Sequence, residues 1–126
     1  MLRRHALAAL LALAAAPLAH AAGVPFEQAD FEAARRGGKP VLIMGHADWC
    51  PTCRKQAPAV EDLLKQSELS GIQLRVVDFD MQEDVRKTFR VTKQSTLILF
   101  KGDKEVSRST GETRPEAIAQ MLRKAL

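Results

Sequence analysis

The run Val41-Leu42-Ile43-Met44-Gly45-His46-Ala47-Asp48-Trp49-Cys50-Pro51-Thr52-Cys53 decides the fold. It opens with four consecutive apolar residues, two of them β-branched, bounded by Gly37-Gly38 and Gly45. That pattern predicts a buried strand over Lys39 to His46. After the cysteines, Ala57, Val60, Leu63 and Leu64 recur at helical spacing to about Ser67, and Pro51 suits a first helical position. Cys50 and Cys53 are the only two cysteines in the 126 residues. One helical turn apart, they bring both sulfurs to one face. At a helix N-terminus the unpaired N–H groups and the dipole favour the Cys50 thiolate, and Arg54 and Lys55 add positive charge nearby. Cys53, one turn deeper, is then shielded and able to displace a mixed disulfide. A ring closed over two intervening residues constrains the unfolded chain very little, so a redox role is expected rather than a structural staple.

Outward from this junction the chain alternates. Phe26 to Arg36 reads as a short helix with Phe26, Ala29 or Asp30, and Ala33 on its apolar side, stopped by Gly37-Gly38. Pro58 lies within the helix that follows the cysteines and is expected to kink it. Ile72 to Phe79 is a second β-branched run. Glu83 to Phe89 is a short helix carrying Val85 and Phe89 on one face. Thr96 to Lys101 is a third strand, and Gly102-Asp103 offers turn chemistry for a hairpin partner over Glu105 to Ser109. Arg114 to Leu126 closes the chain as a helix with Ile118, Met121, Leu122 and Ala125 inward. The order α-β-α-β-α-β-β-α predicts an α/β domain, a mixed four-stranded sheet with helices on both faces.

The first 21 residues read as a secretory signal. Arg3, Arg4 and His5 make a positive n-region, Ala6 to Ala16 is an uncharged apolar core, and Ala19-His20-Ala21 fits the cleavage pattern. Eleven apolar residues are too few for an ordinary membrane span, and nothing later is long and apolar enough to cross a bilayer. A domain over residues 22–126 is therefore expected to be exported, to the periplasm of a Gram-negative source, with no membrane span in the mature chain. The full chain carries 19 Lys+Arg and 15 Asp+Glu, a net charge of +4, and losing Arg3 and Arg4 leaves +2. Basic residues are dispersed among acids, so nucleic acid is not an expected partner.

The element order, with Trp-Cys-x-x-Cys at the first strand-to-helix junction, resembles thioredoxin from about Phe26 to Leu126. Ala47-Asp48-Trp49-Cys50, Pro58 as the helix kink, Asp80 after the second strand, Thr96-Leu97-Ile98-Leu99-Phe100-Lys101 and Gly111 match the family's landmarks. The resemblance implies a thiol-disulfide oxidoreductase without a cofactor and acting as a monomer. In it Cys50 is the nucleophile, Cys53 the resolving thiol, and Trp49, Pro51, Thr52 and Ser95 contact protein disulfide or dithiol substrates. Ala-Asp-Trp-Cys also resembles the C-terminal domain of DsbD-type membrane reductases, and such a reductase would supply a secreted reductant with electrons. Absence of an inserted helical domain favours a reductant or electron carrier over an oxidant.

Three positions depart from the family. The cis-proline before the Thr-Leu strand is replaced by Ser95, where a cis bond would cost ~2.5–4 kcal/mol, so a trans Gln94–Ser95 bond and a locally different loop are expected. Met44 stands where the family has a buried acid, and Val76 where that acid has a lysine partner; losing both leaves no buried charge unpaired. Asp48 is a weak substitute for the acid. His46, the only histidine after the signal, replaces an aromatic residue. It could stabilise the Cys50 thiolate or join the sulfurs around a metal. The alternative function is accordingly a Cu(I) or Zn binding or delivery module using Cys50 and Cys53, with or without His46, although at most three ligands in one chain leave a tetrahedral site open.

Overall fold

The structure is a computed structural model that describes residues 23–126; the proposed signal segment lies outside them. Its elements are β1 (Val24–Pro25), α1 (Gln28–Arg36), β2 (Pro40–His46), α2 (Pro51–Leu64), β3 (Gln73–Asp78), α3 (Glu83–Phe89), β4 (Thr96–Lys101), β5 (Lys104–Thr110) and α4 (Pro115–Arg123). The sheet has five strands in the order β1-β3-β2-β4-β5. The four expected strands are present, and the fifth is the two-residue β1, parallel to β3 through Val24 and Pro25. So short a segment, with a proline, offers no alternation for a sequence reading to detect.

β2 is central because it is apolar on both faces, with Val41 to Gly45 all buried. It runs parallel to β3 and antiparallel to β4, so the sheet is mixed as expected. Leu42 and Met44 face α2 and α4 in one core, with Val60, Leu63, Ile118 and Leu122. Val41 and Ile43 face the other way, into a core shared with Phe31 and Ala34 of α1 and Phe89 of α3. The period-2 alternation of one strand thereby feeds two helical layers. Four phenylalanines, Phe26, Phe31, Phe89 and Phe100, pack with ring centroids 5.2–5.8 Å apart in that second layer.

The inward face of α1 differs from expectation. Phe31 and Ala34 are its buried residues, whereas Ala29 and Ala33 are exposed. The helix begins at Gln28, not Phe26, and the largest apolar side chain within it, Phe31, sets which side turns inward. Phe26 is also buried, but as extended chain whose N–H donates to the Val76 carbonyl at 2.8 Å. The remaining helices follow the reading closely. Pro58 sits inside α2, and α4 buries Ile118, Met121 and Leu122. β2 and α2 meet at residues 47–50, at the sheet's carboxyl edge.

Candidate active site

Cys50 is the N-cap of α2, in extended conformation (φ −80°, ψ 117°), with Pro51 at the first helical position. Its sulfur takes the place of a capping oxygen: the Cys53 backbone N–H donates to Cys50 Sγ at 3.3 Å. Both cysteines are free thiols. Cys50 is 7% exposed and Cys53 1%, in a small apolar nest with Ala47 and Phe79. Both residues are buried, and Cys50 is the more open of the two.

The two thiols are pushed apart in acidity. Burial raises the Cys50 pKa, but hydrogen bonds from the Cys53 thiol, the Cys53 amide, the Ser95 hydroxyl and the Thr52 amide outweigh it, and the net shift is downward. Burial likewise raises Cys53, and the neighbouring Cys50 raises it further; Ser95 and the Ala47 backbone oppose this without reversing it. One site therefore holds a thiolate-prone sulfur in front of a protonated one, as nucleophile and resolving thiol require.

Ser95 is where the structure departs most from the expected partner surface. It is 1% exposed and lies against the sulfurs, with its Oγ 3.0 Å from Cys53 Sγ and 3.7 Å from Cys50 Sγ. The Gln94–Ser95 bond is trans, as expected, and Ser95 has φ +62°, in the left-handed region. A non-glycine residue there costs roughly 1–3 kcal/mol and needs the surroundings to hold it. They do: the Ser95 N–H donates to the Gly45 carbonyl at 2.9 Å, and the Ser95 carbonyl accepts from the Gly111 N–H and from Gln56 Nε2, each at 3.0 Å. Gln56 also donates to the Glu112 carbonyl at 2.9 Å. It is 1% exposed and ties α2 to the segments before β4 and after β5. Sequence reasoning missed Gln56; a polar residue one position before Ala57 on the inward side of α2 was the available signal.

Trp49 is 59% exposed, and its Nε1–H donates to Asp80 Oδ2 at 2.7 Å, which fixes the indole beside the cysteines. Pro51 is exposed and Thr52 half-buried at the same edge. Met44 is fully buried and stands directly across from Val76 in the β2–β3 register. The two replaced positions are therefore neighbours, and both are apolar. Asp48 and His46 pair with each other, His46 Nε2 to Asp48 Oδ1 at 2.9 Å. Asp48 is exposed and serves neither sulfur as a hydrogen-bond partner. Among the described residues no three His, Cys, Asp or Glu side chains converge as a metal-holding group, so His46 does not join Cys50 and Cys53 in the arrangement the metal alternative requires.

Comparison with known proteins agrees with this geometry. Residues 23–124 match the thioredoxin family profile. The chain is 31% identical to a thioredoxin of Alicyclobacillus acidocaldarius subsp. acidocaldarius over 94 residues, 75% of this chain and 89% of the relative. It is 30% identical over 88 residues to a putative protein disulfide-isomerase of Schizosaccharomyces pombe; that match takes in 70% of this chain but spans only 18% of the longer relative. The crystal structure of Trxlp from Edwardsiella tarda EIB202 superposes with a TM-score of 0.77 at 40% identity, over 80% of this chain and 98% of that one. With its paired thiols on the strand-to-helix junction of this fold, the chain belongs to the thioredoxin family of thiol-disulfide oxidoreductases.

Proposed function

We propose that the protein is exported to the periplasm and there exchanges its Cys50–Cys53 dithiol with disulfides of protein partners, as a reductant or electron carrier. The observation that carries the roles is the split between the sulfurs: Cys50 caps α2 and is lowered in pKa, while Cys53 is deeper and raised. The Cys50 thiolate attacks one sulfur of a partner disulfide, and the other partner sulfur leaves with the bonding electrons. Cys53 then loses its proton and attacks Cys50 Sγ. The S–S bond to the partner breaks, the two partner thiolates take up the protons that Cys50 and Cys53 gave up, and Cys50–Cys53 is left oxidised while the partner holds two thiols.

The exposed indole of Trp49, with Pro51 and Thr52 beside it, offers an apolar landing for a partner chain around Cys50. Reductant direction is supported by the run from β3 through α3 to β4 without an inserted helical domain. Export is supported by the n-region, apolar core and cleavage pattern of residues 1–21. A monomeric reductant in an oxidising compartment needs resupply, for which a DsbD-type membrane reductase is the fitting donor. Thiol trapping after cell fractionation tests this directly. The expected result is a periplasmic protein held as the dithiol, which accumulates as the disulfide when the membrane reductase is deleted. A cytoplasmic protein, or one held oxidised while the reductase is present, would overturn the proposal.

A further inference from the structure

The buried acid that the resemblance calls for is missing, yet Cys53 must still deprotonate inside an apolar nest. Met44 and Val76 supply no polar group there. Asp48 points to His46, and His46 Nδ1 is buried without a partner. The nearest side-chain polar group that contacts Cys53 is the Ser95 hydroxyl at 3.0 Å.

We propose that Ser95 is a catalytic residue of the resolving step: its hydroxyl donates to the Cys53 sulfur as that sulfur becomes a thiolate, and so replaces the buried acid by direct hydrogen bonding. The proposal rests on Cys50 as the attacking and Cys53 as the resolving thiol. In the free dithiol, Cys50 already receives the Cys53 amide at 3.3 Å, and Ser95 reaches it only at 3.7 Å. Once Cys50 is bonded to a partner it carries no charge to stabilise, and the one hydroxyl proton is free for Cys53. Ser95 loses no proton in the step. The proton leaving Cys53 ends on the departing partner thiolate, the electron pair of Cys53 forms the new S–S bond, and the pair of the broken bond leaves with the partner. A hydrogen bond to a charged sulfur in a low-dielectric pocket is stronger than one between neutral groups.

The left-handed backbone serves this geometry. The Ser95 N–H is bound to Gly45, and the Ser95 carbonyl to Gly111 and Gln56, which leaves the side chain aimed at the sulfurs. Gln56 is the positioning residue. A proline could neither adopt φ +62° nor donate the N–H to Gly45, so the family's own residue at this place is incompatible with the arrangement.

The test uses the mature protein and an aromatic disulfide, 5,5′-dithiobis(2-nitrobenzoate), which releases one coloured thiolate when Cys50 attacks and a second when Cys53 resolves. Ser95→Gly removes the hydroxyl and suits the left-handed backbone, so folding is preserved; Ser95→Ala removes it without that relief. Both variants should lose about tenfold or more in the second release at neutral pH, the loss of one charge-assisted hydrogen bond, while the first release changes less than threefold. The rise of the second rate with pH should move to higher pH in both. An unchanged second release with an unchanged pH profile would overturn the role of Ser95. So would equal slowing of both releases, in step with lost stability, which marks a structural residue. Retention of the first release by Cys50→Ser would instead overturn the assignment of the two cysteines, and the proposal with it.

Discussion

At the scale of single residues, one helix terminus makes two chemically identical side chains behave differently. Cys50 replaces the capping oxygen of α2 and collects donors; Cys53, three residues on, meets burial and the charge of its neighbour. Iodoacetamide labelling of the reduced protein across pH should therefore modify Cys50 first, with a rate that rises below the ordinary thiol range. Cys53 should follow only above that range. Equal rates at every pH, or Cys53 first, would contradict the split. This much of the site was legible, because a Cys-x-x-Cys opening a helix dictates which sulfur meets the free N–H groups. Ser95 was legible as a departure from proline and as a trans bond, but not as a buried partner of both sulfurs. That placement depends on Gly45, Gly111 and Gln56, which are distant in sequence and meet only in the folded chain. His46 illustrates the opposite case: four residues before Cys50, it pairs with Asp48 because a strand end and a loop bend bring those two together first.

At the scale of elements, β2 carries the fold and records the change from the family pattern. Its register places Met44 opposite Val76, so acid and lysine would have faced one another across two parallel strands, and here two apolar side chains do. Met44→Asp alone should destabilise the protein at neutral pH by about 3–5 kcal/mol, the penalty of an unpaired buried charge. Burial raises such a carboxyl above its unfolded value. The charge penalty is then full above the folded pKa and shrinks as pH falls through it, so the gap in urea midpoints should narrow in acid down to the pH-independent loss of the buried Met44 packing. Adding Val76→Lys should recover part of the loss at neutral pH. A single variant as stable as the wild type at pH 7 would mean that this part of the core is wetter than its complete burial implies. Element boundaries were largely readable because β2 and β4 are unbroken apolar runs and α4 repeats its apolar residues at helical spacing. β1 was not, having two residues, and the face of α1 was misread because Phe26 lies just before the helix and Phe31 within it.

At the scale of the whole molecule, a five-stranded sheet with two helical layers presents one reactive edge. α2 delivers the cysteines, the segment before β4 delivers Ser95, the turn after β3 delivers Asp80 to hold Trp49, and Gln56 bonds across to the segment after β5. Domain class and reaction type follow from that convergence. On the proposed function, this edge performs sequential thiol exchange with Cys50 leading and Cys53 resolving. The most direct measurement of that order is mass spectrometry of covalent adducts after the reduced Cys50→Ser and Cys53→Ser variants meet a disulfide-bonded test protein at neutral pH. Cys53→Ser should accumulate a mixed disulfide through Cys50, Cys50→Ser should form none on the same timescale, and the wild type should turn over to free partner thiols. An adduct carried by Cys53 in Cys50→Ser, or no adduct in Cys53→Ser while the wild type turns over, would contradict it.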